Sequence, residues 1–364
     1  MTVRRTSSAA FALVLSSLLA VAACSSSGSS STAGSTSTST SSASSLITVN
    51  YEPGGESFLF LPTMVAITQG YFKDAGINLN YQPLLGTAAL QVNAVISGQS
   101  DIAATGSTGL LGAVQKGQGV VGIGYVTATP GQFLVLTKKT VEKLAASGVT
   151  PTSPLADRIK ALKGLTISGL GAGSSSQELL TALLKTGGLS LSNVTMDSVE
   201  NLPGIYDAAK NGQVDGFFDS DPYVSQSVSD GWGVVWVSYP ADEVPAATGI
   251  PWTEYVASKT FLQKDPEGAK RFMAAIWRAD QTLQTNGEDP AIRNAVKAKY
   301  FSEISQSTFD QAWTNSLQLY KSVPVPSQAV FTKELALYNS VATPPYTITF
   351  NQAYDLGPVN AAKP

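Results

Sequence analysis

The 364-residue chain contains no histidine and one cysteine, Cys24. The first absence removes the commonest metal ligand and the commonest general base. The second excludes an intrachain disulfide and leaves the body without thiol chemistry. Charge is sparse as well: 13% of residues are charged, 26 acids against 23 bases. A nucleic-acid binder needs basic patches to meet phosphates, so that class of partner is excluded. No stretch is apolar for long enough to form a transmembrane helix.

The N-terminus points outside the cytoplasm. Arg4 and Arg5 form a short positive region, followed by an uncharged run from Phe11 to Ala23. That run is too short to span a bilayer but suits the apolar core of a secretory signal. Val21-Ala22-Ala23-Cys24 resembles the lipobox of bacterial lipoproteins, in which the cysteine becomes the lipidated first residue. We therefore expect a signal peptide over 1–23 and a membrane anchor at Cys24. Residues 24–45 follow as a tether made almost entirely of Ser, Thr, Gly and Ala. Such a tract buries nothing and behaves as a flexible coil of about 25 Å mean span.

Some 320 residues remain for the body, more than one core holds comfortably, so two lobes are expected. Without Arg4 and Arg5 the mature chain carries a net charge of about −5. A faint repeat runs through it. The first copy opens with "LITVNY" and the turn "EPGGES", passes through "INLNYQPL" and "LGTAA", and ends in "SGQSDIAATGSTGLL". The second opens with "LTISGL" and "GAGSSS", passes through "NVTMDSVE" and "NLPG", and ends in "NGQVDGFFDSDPYV". Both alternate strand and helix, which implies mostly parallel sheets with helices on both faces. Ligands in such sheets sit beyond the carboxyl ends of the strands. The turns at 51–58, 85–88, 105–108, 171–176 and 219–223 should therefore line one cleft. Asp101 and Asp215, at the amino ends of strands, are read as structural.

The C-terminal third reads as helices packed around the first lobe. Asp265-Pro266 is a helix start, Ser307 with Asp310 has capping-box spacing, and Phe309, Trp313, Leu317 and Tyr320 form a core stripe.

The ordered set of "LPTMVAITQGYFKDAGINLNYQPLLGTAAL", "SGQSDIAATGSTGLL", "LKGLTISGLGAGSSSQELL" and "AAKNGQVDGFFDSDPYV" resembles the substrate-binding proteins of bacterial ABC importers, in the nitrate, sulfonate, taurine and thiamine-precursor branch. The resemblance covers roughly residues 46–290. It implies an α/β, two-lobed periplasmic-binding-protein fold (type II, clamshell), each lobe a mostly parallel sheet flanked by helices. Crossovers are placed near Thr127–Phe133 and Val244–Trp252. Lobe one is then 46–128 plus 245–342, lobe two 129–244, and 343–364 a tail. The implied role is capture of a small-molecule solute and delivery to an ABC permease and its ATPase subunit. A monomer is implied, and no cofactor or metal.

The candidate ligand contacts come from those turns. "GAGSSSQELL" should open a helix, with Gly173, Ser174, Ser175 and Ser176 offering hydroxyls and free backbone N–H groups to partial negative charge. Ser174 with Gln177, and Ser175 with Glu178, both have capping-box spacing. Thr105, Gly106, Ser107 and Thr108 form the equivalent turn in lobe one, with Gly86 and Thr87 beside it, Ser57 in the first turn and Thr127 at the crossover. The turns hold no Lys or Arg, but do hold Glu52, Glu56, Asp219 and Asp221, with Glu254 near the return crossover. Bare carboxylates repel anions. Tyr51, Phe58, Tyr125, Phe217, Tyr223 and Trp252 could sandwich a flat ring, with several expected to be core residues instead. These features favour a neutral or amine-bearing organic solute, heterocyclic in one form, over a sulfonate-, nitrate- or taurine-type anion on the same fold. A surface sensor or adhesin uncoupled from transport is the other alternative. An enzyme of this fold that makes a thiamine pyrimidine relies on a histidine and a cysteine-rich motif, both missing here. A carboxylate hydrolase using Asp219, Asp221 and Glu52 has no supporting spacing.

Overall fold

The computed structural model describes residues 46–199, 201–322 and 324–363. The expected signal peptide, the Cys24 anchor and the tether to residue 45 lie outside them. Among the described residues, no helix is long and apolar enough to cross a membrane.

The strands are β1 (Ile47–Pro53), β2 (Ile77–Tyr81), β3 (Ile102–Gly106), β4 (Val120–Tyr125), β5 (Phe133–Thr137), β6 (Thr166–Gly169), β7 (Thr195–Ser198), β8 (Gly216–Asp219), β9 (Gly233–Ser238) and β10 (Thr253–Ser258). They form two five-stranded sheets, ordered β2-β1-β3-β10-β4 and β7-β6-β8-β5-β9. The apolar runs VVGIGY of β4 and FLVLT of β5 are almost wholly buried, as strands covered on both faces must be. The edge strands β2 and β7 are partly exposed.

The sequence repeat is a structural repeat: β2-β1-β3 in one sheet matches β7-β6-β8 in the other, all parallel. The aspartates of the two Gly-Gln-x-Asp pieces do the same local work. Asp101 Oδ2 accepts from the backbone N–H of Asn50 at 2.8 Å, and Asp215 Oδ2 from that of Thr166 at 2.9 Å. Each braces the neighbouring parallel strand, β1 or β6, far from the strands' carboxyl ends.

One strand in each sheet runs against the rest. β10 is antiparallel to β3 and β4, and β5 to β8 and β9. These are the strands that begin each return from the opposite lobe, so they enter their sheets at the end facing the cleft. Residues 126–132 and 239–252 are the two links between lobes.

The C-terminal helices do not confine themselves to lobe one. Helix Gln306–Leu317 lies against helix Tyr223–Ser229 of the second sheet's lobe, where Asn315 Nδ2 donates to Asp221 Oδ2 at 3.3 Å. Helix Gln328–Asn339 meets helix Ser175–Thr186, and Lys185 Nζ donates to the Ser340 carbonyl. The last residues return to the first sheet, where Tyr354 bridges Gly122 of β4. Helix Gln306–Leu317 is capped by Ser305, which accepts from Thr308 N–H at 3.1 Å. The Ser307–Asp310 cap expected from spacing is not made, because Asp310 is drawn to Arg293.

Phe309, Trp313 and Tyr320 are core residues, joined by Phe58 and Phe301. Trp313 is fully buried and its Nε1 donates to the Gly287 carbonyl at 2.8 Å. Trp313→Ala removes the ring and orphans that carbonyl, so it should cost about 3–5 kcal/mol of stability. A lower urea midpoint with unchanged slope would register it; an unchanged midpoint would contradict the packing described.

Candidate functional site

The carboxyl ends of β1, β3, β6 and β8 converge where the two lobes meet. A chamber of about 60 Å³ lies between them. From lobe one it takes Gly54 and Ser57 after β1, Gly86 and Ala88 after β2, and Thr105 and Gly106 at the end of β3. From lobe two it takes Leu170, Ser174, Ser175 and Ser176 after β6, and Asp219 and Ser220 at the end of β8. Leu59, Phe60, Gln91 and Leu202 close its walls.

The lobes touch across this chamber. Thr108 Oγ1 and Ser175 Oγ are 2.6 Å apart, and Ser57 Oγ and Ser220 Oγ 3.1 Å apart. Ser57 Oγ also donates to the Asp221 carbonyl at 3.2 Å. The structure is therefore of the closed arrangement.

Helix N-termini aim at the chamber from both sides. Ser174 caps helix Ser175–Thr186 by accepting from Gln177 N–H at 3.1 Å, so of the two capping spacings this is the one used. That leaves Ser175 free to reach Thr108. Helices Ala88–Ser97 and Ser107–Gln115 start beside the same space. Their unpaired N–H groups give the lining a partial positive character without a cation. Among the described residues, no Lys or Arg lines it.

Three polar atoms of the lining are buried and unpartnered among the described residues: Asp219 Oδ2, Gln132 Oε1 and Trp252 Nε1. Asp219 Oδ1 accepts from Ser220 N–H at 2.7 Å, which fixes the carboxyl and turns its other oxygen loose. Burial pushes Asp219 up to about 8, against the opposing pull of Ser220. Burial thus favours the protonated, neutral form of this carboxyl.

Of the candidate contacts, Ser57, Gly86, Thr105, Gly106, Ser174, Ser175, Ser176, Asp219 and Trp252 line the chamber. The other eleven do not. Thr87 sits just outside it, capping helix Ala88–Ser97. Thr108 bridges the lobes, and Thr127 Oγ1 braces the hinge by accepting from Trp252 N–H at 3.3 Å. Gly173 is exposed and takes φ +82°, which a glycine tolerates, before the helix.

The aromatic sandwich is corrected. Tyr51 faces the core, 5.2 Å from Phe272 between ring centres, with its hydroxyl 3.1 Å from Thr63 Oγ1. The turn after Ser57 sends Phe58 onto Phe301 at 4.6 Å, and Leu59 and Phe60 face the chamber instead. Tyr125 packs on Tyr354 and Tyr223 on Tyr206, both at 5.7 Å. Phe217 packs on Trp232 at 5.9 Å, so only Trp252 of the six lines the chamber.

The carboxylates are dispersed likewise. Glu52 Oε1 accepts from Gln99 Nε2 at 2.9 Å on the far side of β1. Asp221 accepts from Ser225 N–H at 2.8 Å, starting helix Tyr223–Ser229; burial lifts it to about 6. Glu56 is exposed. Glu254 alternates with Thr253 on β10, so Thr253 meets the chamber and Glu254 points behind the sheet. There it is buried with Glu334 in a group that includes Ser107, Tyr125 and Tyr354, and burial pushes both carboxyls up. The acid set proposed for hydrolysis is thus taken apart, with Asp219 alone at the chamber.

Gly54, Ala88 and Ser220 fall in the turns expected to line the cleft but were not singled out, whereas Gln132, Thr253, Leu59, Phe60, Gln91, Leu170 and Leu202 lie outside those turns. Gln132 and Thr253 reach the chamber because β5 and β10 are antiparallel and start at its edge. The signal was available in principle: each stands at the end of a predicted crossover.

Comparison with known proteins agrees with this architecture. The model of the NMT1-like family matches residues 59–298. YtlA of Bacillus subtilis (strain 168), described as a binding protein, is 24% identical over 248 residues, covering 67% of this chain and 68% of that one. The ligand-binding component of an ABC-type import system from Staphylococcus aureus, solved with zinc, superposes with TM-score 0.69 at 11% identity, covering 87% of this chain and 99% of that one. The alkanesulfonate-binding protein SsuA of Xanthomonas axonopodis pv. citri, bound to MOPS, gives TM-score 0.63 at 18% identity, covering 80% and 90%. The fold is that of the periplasmic binding proteins.

Proposed function

The chain belongs to the NMT1-like family, and from that premise we propose that it is the solute-binding component of an ABC import system. It works outside the cytoplasm as a monomer held to the membrane through Cys24. It closes on one small solute and presents it to a permease driven by an ATPase subunit. A ligand can shift such a protein toward closure only by binding the closed form better, and a chamber walled by both lobes provides that difference.

The solute is a neutral or amine-bearing organic molecule. Asp219 carries this reading: a buried carboxyl with one free oxygen, in a chamber without a lining cation. An ammonium or ring N–H would satisfy Asp219 Oδ2 and Gln132 Oε1, and an acceptor on the same molecule would satisfy Trp252 Nε1. Burying a charge or polar group without such partners is costly. The alternative, a sulfonate- or nitrate-type anion, is favoured by the helix N-termini and by burial favouring the protonated form of Asp219, since a protonated carboxyl can donate.

Titration calorimetry with aminopyrimidines, alkylamines, alkanesulfonates and nitrate separates the two. Binding of the nitrogen-bearing compounds is expected; tight sulfonate or nitrate binding with no heat from the others overturns the preference. Deleting the protein from its host should abolish uptake of the solute so identified, and unchanged uptake would favour a sensor or adhesin instead.

A further inference from the structure

The chamber has an annex. A groove of about 650 Å³ runs outward from it between the lobes, and Gly86 and Leu170 line both spaces. One wall is Leu85 and Leu90 of lobe one; the other includes Val199 of lobe two. No charged residue lines it among those described. Leu85 and Leu90 are 52% and 45% exposed, two of the five large apolar side chains that stand out in water among the described residues, and they stand side by side at the chamber's edge. Leaving them in water forfeits stabilisation that covering them would return.

Building on the solute reading above, we propose that this groove is a second subsite and that the solute is a head-and-tail molecule. Its polar head occupies the chamber at Asp219. An aliphatic tail emerges past Gly86 and lies between Leu85, Leu90 and Val199. The chamber alone is too small for more than a compact head, whereas the groove has room for several carbons. Gly86 sits at the doorway with φ +132°, a conformation few other residues adopt, so the passage stays free of a side chain. Because the groove's walls belong to different lobes, the tail also binds the closed form better than the open one. It therefore tightens closure as well as affinity.

The test is a chain-length series, n-alkylamines from ethylamine to octylamine, with n-alkanesulfonates of the same lengths in parallel. Each methylene that enters the groove should improve affinity roughly fourfold until the chain outgrows it. In the double variant Leu85→Ser/Leu90→Ser, the slope against chain length should fall towards zero. Both side chains are surface-exposed, so the variant is expected to fold; circular dichroism and thermal unfolding verify that. If sulfonates climb with length while amines do not bind, the head reading fails and the tail subsite stands. A flat slope in every series that binds, a slope that survives the double substitution, or silence toward both series overturns the subsite.

Discussion

Asp219→Asn is expected to weaken binding of an amine-bearing solute by roughly 10- to 150-fold, the worth of a hydrogen bond to a charged group. It should at the same time stabilise the unliganded protein at neutral pH. The two effects have one cause. Burial raises Asp219 from 3.8 to about 8. A carboxyl raised in this way favours the folded state below its ordinary pKa, and that advantage is lost as pH climbs from about 4 to about 8. Asparagine has no proton to lose, so the variant should lose less of its melting temperature across that window than the wild type; Asp221, Glu254 and Glu334, also raised by burial, leave part of the decline in both. It still accepts from Ser220 N–H, so local geometry is preserved. Binding an ammonium should reverse the shift and release a proton, visible when calorimetry is repeated in buffers of different ionisation enthalpy. Unchanged affinity in Asp219→Asn would remove the carboxyl from the site.

Gly106→Val should all but abolish binding by a different route. A Cβ built on Gly106 would lie 2.2 Å from Ser175 Oγ and 2.6 Å from Ser175 Cβ, on the opposing lobe. Real Cβ atoms do not approach so closely, and Ser175 Cβ cannot retreat without its helix. The backbone at Gly106, φ −68° and ψ 143°, suits any residue, so the clash lies between the lobes and not within one. Valine is therefore a wedge that spares each lobe and removes the closed state. Apparent affinity falls with the fraction of closable molecules, so a loss of at least about a hundredfold is expected. Small-angle scattering should show a larger radius of gyration that a solute no longer shrinks. A variant that closes and binds normally would show that the lobes need not meet there.

The sequence made the cleft legible through connectivity. Two copies of a strand-helix pattern announce parallel sheets, and the carboxyl ends of parallel strands announce which turns face a ligand. Ser57, Gly86, Thr105, Ser174 and Asp219 were named that way, and they line the chamber. What stayed hidden was orientation. Alternation shows that Tyr51 and Glu52 point to opposite faces, but not that neither face is the cleft. Phe58 was misread because one turn of 3₁₀ helix rotates it onto Phe301. Glu254 was misplaced by one residue of strand register. The aromatic stripe at Phe309 and Trp313 was read as core, yet nothing local showed that its helix also reaches Asp221 on the other lobe. That contact joins residues 94 positions apart.

Gln132 and Trp252 close the two links between the lobes and also line the chamber. A molecule held there sits at the fulcrum rather than between the tips of the jaws. A nudge of a fraction of an ångström at that pivot is multiplied along each lever arm, so the outer margins travel furthest. On the proposed function, occupancy would be broadcast to a distant observer, which could read the swing of the rims without ever meeting what caused it.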